Sequence, residues 1–287
     1  MQIVLHCGAH ATDEDAIQGV LRRNAAMLSE HGVAVPDPAL YRGPLHEALQ
    51  FMRTGSGQDE TGFDLAKLPG VDGARRVILS HAGFLGIPSR IVEGGALYPV
   101  ARRRLEQIGA LFPQARLSLA LALRDPADFL IGAWALQSDM TEEEFVERLP
   151  APGPFWPKLV ASLQEALPGQ EIVLWRHEDL PALWPLVIGE LTGLGADMDY
   201  PGAEELVAPA LSENGRARLA RYLEEKPPLG LAQRRRILEV FLEKAPARTD
   251  APATEGMAAR IAAMGPWPYE ADMAALGDMP GVRLLGA

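Results

Sequence analysis

Cysteine is almost absent from the 287-residue sequence, where Cys7 is the only one. A single thiol cannot form an internal disulfide, which favours a reducing compartment. Long hydrophobic runs are also missing, because every stretch of transmembrane length contains charges or prolines. The apolar run at the N-terminus spans only a few residues, which is too short for the core of a signal peptide. We therefore expect a soluble, cytoplasmic protein.

Positively charged residues are fewer than negatively charged ones. The 27 Lys and Arg residues face 38 Asp and Glu residues, which gives a net charge of −11. This balance disfavours nucleic acid and anionic membranes as partners, although it leaves room for a local basic pocket. With 48% hydrophobic residues, 28 Gly and 24 Pro, the composition is that of an ordinary globular chain.

Strand patterns alternate with helix patterns over most of the chain, which predicts an α/β fold with a central parallel sheet between two helical layers. The predicted strands are 2–7, 33–35, 76–79, 117–123 and 171–175. From Ser212 onward no segment has a convincing strand pattern. We expect a single unit, with an α/β core over 1–200 and a helical C-terminal extension over 201–287.

Two regions of this prediction matter for function. The first helix is predicted to begin near Thr12, directly after the first strand. Residues 37–73 are rich in Gly, Pro and Asp, with a short helix expected near His46–Met52. A long segment with so little pattern is typical of a functional loop or a lid.

The loop after the first strand has the right place for an anion site, because the N-terminus of a helix presents free N–H groups. However, the segment 6–15 lacks the GxxxxGK[ST] pattern of a nucleotide P-loop and the GxGxxG pattern of a dinucleotide fold. It also contains no Lys or Arg.

The loop resembles that of bacterial sulfotransferases that use 3′-phosphoadenosine-5′-phosphosulfate (PAPS), whose pattern is His-x-Gly-x-His-Lys-Thr-Gly-Thr-Thr-Ser-x-Gln. The matching residues are His6, Gly8, His10, Thr12 and Gln18. Ala11 stands at the family lysine, Asp13 at the glycine, and Glu14 and Asp15 at the two threonines.

A second resemblance follows the predicted central strand, where the family pattern Arg-x-Pro-x-Asp/Glu precedes a serine and holds the 3′-phosphate. Arg124, Pro126 and Asp128 match this pattern, and Gly132 stands at the serine. Residues 78–82, 173–180 and 269–282 are also similar to family segments. Together these motifs imply a sulfotransferase-like, P-loop-like fold.

The resemblance implies a cofactor site with altered ligands. Its implied residues are Gly8, His10, Ala11, Thr12, Arg124, Asp128 and Gly132. A carboxylate about 5 Å from a phosphate costs roughly 3 kcal/mol at an effective dielectric of about 20. Micromolar affinity corresponds to only about 8 kcal/mol. We therefore expect a degenerate sulfotransferase-like protein with weak or no PAPS use. The alternative is an active enzyme that sulfates a hydroxyl-bearing small molecule or glycan.

The acids of the first loop have a structural explanation too. Thr12 and Asp15 are spaced almost as in a capping box, and acids in a first helical turn favour the helix dipole. A metal site on Asp13, Glu14 and Asp15 is disfavoured because adjacent helical residues do not converge on one ion. Arg124 has two interpretations as well: it grips a phosphate, or it pairs with Asp128 or with an acid of the first loop.

His10 and His81 are the candidate catalytic bases, since both lie at predicted strand ends and could share one cleft. His6 and His46 are further candidates. The alternative is that these histidines serve only as hydrogen-bonding residues of the loops. The arginine clusters 102–104 and 234–236 are typical of solvated helix faces.

Overall fold

A six-stranded parallel sheet forms the centre of the chain. The computed structural model describes residues 1–13, 15–53, 62–226, 231–246 and 255–286. Its eight strands are β1 (Gln2–His6), β2 (Val33–Ala34), β3 (Arg76–Ser80), β4 (Val92–Glu93), β5 (Ala96–Leu97), β6 (Arg116–Leu123), β7 (Glu171–Arg176) and β8 (Val282–Leu284). The sheet order is β2-β3-β1-β6-β7-β8, and β4 and β5 form a separate antiparallel hairpin. The predicted α/β class with a parallel sheet is confirmed.

Alternation along the strands divides the core into two clusters. In β6 the leucines at 117, 119, 121 and 123 belong to one buried cluster, whereas Ala120 and Ala122 belong to the other. Successive strand residues point to opposite faces, so each cluster lies on its own side of the sheet. All residues of β6 from 117 to 123 are buried, as expected for a central strand covered on both faces. The arrangement is consistent with a three-layer sandwich.

Twelve α-helices occur in the described ranges. They are α1 (Ala16–Arg23), α2 (Ala25–Glu30), α3 (Pro38–Arg53), α4 (Ala101–Leu111), α5 (Pro126–Ala135), α6 (Glu142–Arg148), α7 (Trp156–Ala166), α8 (Leu180–Thr192), α9 (Glu213–Glu225), α10 (Leu231–Lys244), α11 (Glu255–Ala263) and α12 (Tyr269–Gly277). None of these helices has both the length and the apolar character needed to cross a membrane.

The segment 37–73 is more ordered than its composition predicts. Helix α3 has 16 residues and contains Pro44 in its interior, a position where proline usually kinks or breaks a helix. Asp37 caps the helix by accepting a bond from the N–H of Ala39 at 3.0 Å. The hydroxyl of Tyr41 then bonds to both the N–H and the C=O of Ser80 at 2.8 Å. These bonds fix α3 to the end of β3, so the expectation of a loop or lid is wrong for the helical part.

The C-terminal part also differs from the prediction. It is mostly helical, but β8 pairs in parallel with β7 from Ile172↔Val282 to Leu174↔Leu284. The expectation of no strand after Ser212 is therefore wrong. Three residues are too few for a sequence pattern, and Gly281, with a φ of 78°, makes the turn that starts the strand.

A side chain of α12 caps the start of α7. The buried Asp272 carboxylate accepts bonds from the N–H groups of Phe155 and Trp156 at 2.9 and 3.0 Å, at the start of α7. The Trp156 indole N–H in turn donates to the carbonyl of Arg124 at 2.8 Å. Asp272 is thereby connected, through α7, to the position of Arg124.

We predict that Asp272→Ala lowers the free energy of unfolding by roughly 2–4 kcal/mol, because it leaves two buried N–H groups without an acceptor. Urea unfolding followed by circular dichroism measures the change. Asp278→Ala, at the exposed end of the same helix, should change stability by less than about 0.5 kcal/mol. Equal effects of the two substitutions would contradict the assignment of Asp272 as the cap of α7.

Candidate functional site

The sheet topology creates a crevice between β1 and β6. The two strands are neighbours, but β1 leads to β2 on one side of the sheet and β6 leads to β7 on the other. The loops that follow such a pair leave in opposite directions, and ligands of open α/β sheets bind at this point. Residues 7–13 follow β1 and the residues after Leu123 follow β6, so both segments lie at this crevice.

The backbone around this crevice is strained. Ala11, Asp15 and Tyr98 have φ values of 57°, 68° and 46°, and they are the only residues other than glycine with positive φ in the described part of the chain. Each such conformation costs on the order of 1 kcal/mol or more. The Tyr98 hydroxyl accepts a bond from the N–H of His10 at 3.0 Å, so all three residues belong to one neighbourhood.

The Asp13 carboxylate closes the N-terminus of α1. Its Oδ2 accepts a bond from the N–H of Ile17 at 3.2 Å. The Thr12 hydroxyl donates to the carbonyl of Ala9 at 2.6 Å, within the same loop. Helix α1 begins at Ala16 rather than near Thr12, and the Asp15 side chain makes no capping bond. The predicted Thr12–Asp15 capping box is therefore wrong, because Asp13 caps the helix instead.

Asp15 faces α3. Its two oxygens accept bonds from Arg42 Nη1 and Nη2 at 2.9 and 2.6 Å. Arg42 also donates to the carbonyl of Ser80 through Nε at 3.1 Å and Nη2 at 2.8 Å. The hydrogen bonds from Arg42 lower the pKa of Asp15, against a smaller opposing effect of burial. Glu14 lies outside the described residues.

Arg124 is bound to the first loop. Its Nη1 donates to the carbonyl of Ala11 at 2.8 Å. In the described part of the chain it forms no ion pair with Asp13, Asp15 or Asp128, so the pairing interpretation is wrong for these three acids. Asp128 is exposed at its position near the start of α5. Partial burial raises the pKa of Asp128, and the positive charge of Arg124 opposes this shift.

Gly132 allows the loop to approach α5. A Cβ atom at this position would lie 2.6 Å from the Cβ of Ala11 and 3.4 Å from Nη1 of Arg124. The serine that the sulfotransferase pattern would place at 132 therefore does not fit beside the present loop. Gly8, with a φ of 39°, lies against the other side of the loop, where an added Cβ would be 3.3 Å from Oδ1 of Asp13.

His10 and His81 lie at the same edge, close enough for a charge on His10 to lower the pKa of His81. The Tyr98 hydroxyl accepts a bond from the N–H of His10 and lies 3.0 Å from Nδ1 of the His10 ring. Burial lowers the pKa of His10 to about 4. Burial, with smaller contributions from Arg42 and Arg104, lowers the pKa of His81 to about 4. Both rings are neutral at pH 7, and groups with this pKa are weak bases there.

His6 and Ser80 form a hydrogen-bonded pair in the interior, although no Ser–His–Asp order is evident in the sequence. His6 Nδ1 lies 2.8 Å from Ser80 Oγ, whereas His6 Nε2 lies 3.9 Å from Asp13 Oδ1, which is beyond hydrogen-bond distance. The parallel register pairs His6 with Ser80 across β1 and β3, which brings the two residues together. Both are only 2% exposed, so Ser80 is inaccessible as a nucleophile.

Glu178 connects the loop after β6 to α12. Its Oε1 accepts from the N–H of Asp125 at 2.8 Å, and its Oε2 accepts from the Tyr269 hydroxyl at 3.0 Å.

His46 lies apart from the first loop, on the exposed side of α3, where its Nε2 is 3.3 Å from the amide nitrogen of Gln50. Within the ranges described, no group of three or more His, Cys, Asp or Glu side chains is arranged to hold a metal ion.

No protein-family model, curated protein or solved structure matches this chain.

Sequence reasoning missed two residues of this site. Arg42 lies in the segment expected to be a loop or lid, so nothing indicated that a helix would direct it to the first loop. Tyr98 is not a candidate in the sequence, because no local pattern indicates the left-handed backbone that turns its hydroxyl toward His10. In both cases only a contact between distant parts of the chain identifies the residue, and no local sequence pattern predicts that contact.

We predict that Gly132→Ser lowers the free energy of unfolding by about 1–3 kcal/mol, because the new Cβ overlaps Ala11. Gly19→Ser is the matched control, since Gly19 is also helical and an added Cβ there meets nothing within 4 Å. It should be neutral or slightly stabilising. Chemical denaturation measures both. A neutral Gly132→Ser variant would contradict the close packing of the loop on α5.

The histidines should make stability depend on pH. The ordinary pKa of 6.5 falls to about 4 for His10 and His81 on folding. Between these values the unfolded chain binds more protons, so stability is full above pH 6.5 and falls as the pH drops toward 4. Each ring contributes at most about 3 kcal/mol to this loss.

Melting temperatures measured from pH 7 to pH 4.5 test this dependence. His81→Asn should make the decline shallower, whereas His31→Asn, at an exposed position, should leave it unchanged. A His81→Asn curve parallel to that of the natural chain would rule out His81 as a source of the pH dependence.

Proposed function

We propose that this chain is a sulfotransferase-like protein that makes weak or no use of PAPS and that acts by binding rather than by sulfuryl transfer. The observation that carries the proposal is the bond between the Asp13 carboxylate and the N–H of Ile17. In this position a negatively charged oxygen occupies the N-terminus of α1, where an anion would otherwise bind.

Two other implied ligands of the cofactor are also engaged within the protein. Thr12 donates to Ala9, and Arg124 donates to Ala11. A bound phosphosulfate would have to break these bonds and face the Asp13 carboxylate at a cost of roughly 3 kcal/mol. The residues present therefore fit the group poorly. Burial lowers the pKa of His10 and His81 to about 4, which makes both rings weak bases for proton abstraction from an acceptor hydroxyl.

The alternative is an active sulfotransferase that acts on a hydroxyl-bearing small molecule or glycan. One observation favours it: α3 brings Arg42 to the first loop, which supplies a cation that the loop itself lacks. Yet the guanidinium of Arg42 already donates hydrogen bonds to Asp15 and to the carbonyl of Ser80. We therefore prefer the binding role.

Calorimetric titration with 3′,5′-adenosine bisphosphate at low salt tests the proposal. We expect no binding tighter than about 1 mM, because losing charge-assisted contacts and adding repulsion remove most of a micromolar affinity. Arg124→Ala should not alter this result. Micromolar binding that disappears in Arg124→Ala, but persists in Arg22→Ala, would overturn the proposal.

A second variant tests the resemblance itself. Ala11→Lys combined with Asp13→Gly restores two residues of the family pattern, and it should gain affinity for the bisphosphate by at least about tenfold. If the natural chain and this variant both fail to bind, closure of the loop is upheld, but the sulfotransferase-like assignment loses its support.

A further inference from the structure

A second region at the same edge of the sheet is open rather than closed. A pocket of about 410 Å³ lies between α3 and α4, with the segment before β4 as its third wall. Its volume lies within the range of pockets that hold small molecules. Arg104, on one wall, is near enough to His81 to lower the pKa of His81, so the pocket adjoins the crevice described above.

The lining of this pocket is positive although the whole chain is strongly negative. Arg90, Arg103 and Arg104 line it, and no carboxylate of the described residues does. Arg90 is paired with Glu93 at 2.6 Å. Neither Arg103 nor Arg104 forms an ion pair within the part of the chain that the structure describes. Two guanidinium charges are therefore left uncompensated beside one cavity.

Arg104 is the less usual of the two. Its Nε is buried and has no hydrogen-bond partner among the residues that the structure describes. Burial lowers the pKa of Arg104, and no acidic neighbour offsets the effect. A buried donor without an acceptor destabilises a folded protein, so its presence here points to an acceptor that arrives from outside.

The remaining lining residues indicate the chemistry of the part of the ligand that does not contact the arginines. Leu49, Ile87 and Val100 provide apolar surface, and Ile87 is 46% exposed. Gln50 and Gln107 add two amide groups at the margins. A cationic end beside an aliphatic wall suits a compact molecule that has one anionic head and an apolar body.

We propose that this pocket binds a small organic anion, whose phosphate, sulfate or carboxylate head pairs with Arg104 and Arg103 and whose apolar body lies against Leu49, Ile87 and Val100. The inference rests on the proposed binding role and names its site and ligand class. It does not require an open first loop, because the pocket walls are α3 and α4.

Calorimetric titrations with phenyl phosphate, phenyl sulfate and benzoate test this site on the full chain. We expect at least one of them to bind with a dissociation constant near about 100 µM, and inorganic phosphate and benzyl alcohol to bind at least about tenfold more weakly. Arg104→Gln and Arg103→Gln should each weaken binding by at least about tenfold, because each loses a charge-assisted bond. Arg102→Gln is the matched control, since Arg102 is exposed on the same helix and pairs with Glu106 and Glu165.

Thermal unfolding of the free protein separates a ligand-binding role from a structural one. Arg104→Met should not lower the melting temperature and should raise it by roughly 2 °C, because it removes an uncompensated buried charge. A fall in melting temperature would show that Arg104 supports the fold and would overturn its assignment as a ligand contact. If Arg104→Gln folds poorly, Arg103→Gln alone provides the binding test.

Three results would overturn the inference: no binding of any of the three phenyl compounds, binding that both arginine substitutions leave unchanged, or inorganic phosphate binding as tightly as phenyl phosphate. None of them decides the proposed loss of PAPS use, which depends on Arg124. Binding of 3′,5′-adenosine bisphosphate that is sensitive to Arg104→Gln but not to Arg124→Ala would place that anion in this pocket and would support the inference.

Discussion

The bond from the Ile17 N–H to the Asp13 carboxylate is the constraint on which the candidate site depends. It fixes where α1 begins and therefore leaves residues 8–12 as a loop that must satisfy its own polar groups. Thr12 and Arg124 both bond to loop carbonyls as a result. The left-handed backbone of Ala11 brings that loop against Gly132. A protein in which this carboxylate were absent would have an open helix N-terminus at the β1–β6 crevice.

Two neighbouring regions with opposite electrostatic character follow from this arrangement. The first loop carries acids, and the two arginines that contact it, Arg42 and Arg124, both bond to groups of the protein. The described lining of the pocket between α3 and α4 contains arginines and no acid. Net charge alone, at −11, disfavours anionic ligands. The local distribution matters more, because charges beyond about 10 Å are largely screened at physiological salt.

The sequence predicts the parallel sheet and most helices because their patterns are local. The buried run 117–123 and the proline start of α5 are examples. It does not predict β8, which is three residues long and depends on pairing with β7. Of α3 it predicts only the part near His46–Met52, whereas the helix spans Pro38–Arg53 and contains Pro44. At the site, the predicted strand positions are enough to place the acids in the first loop and to place His10 and His81 at the same edge of the sheet. The partners of these residues, namely Arg42, Tyr98 and Ser80, come from distant segments that only the folded chain brings together.

Hydrogen exchange at the Ile17 amide tests closure of the first loop most directly. In α1 this N–H has a side-chain acceptor rather than a backbone one, so its protection reports on Asp13. The account predicts slow exchange at Ile17 in the natural chain. In Asp13→Ala it predicts exchange faster by at least about tenfold, with the amides of Val20 and Leu21 much less affected. Rapid exchange at Ile17 in the natural chain, at the rate of an exposed amide, would contradict the account.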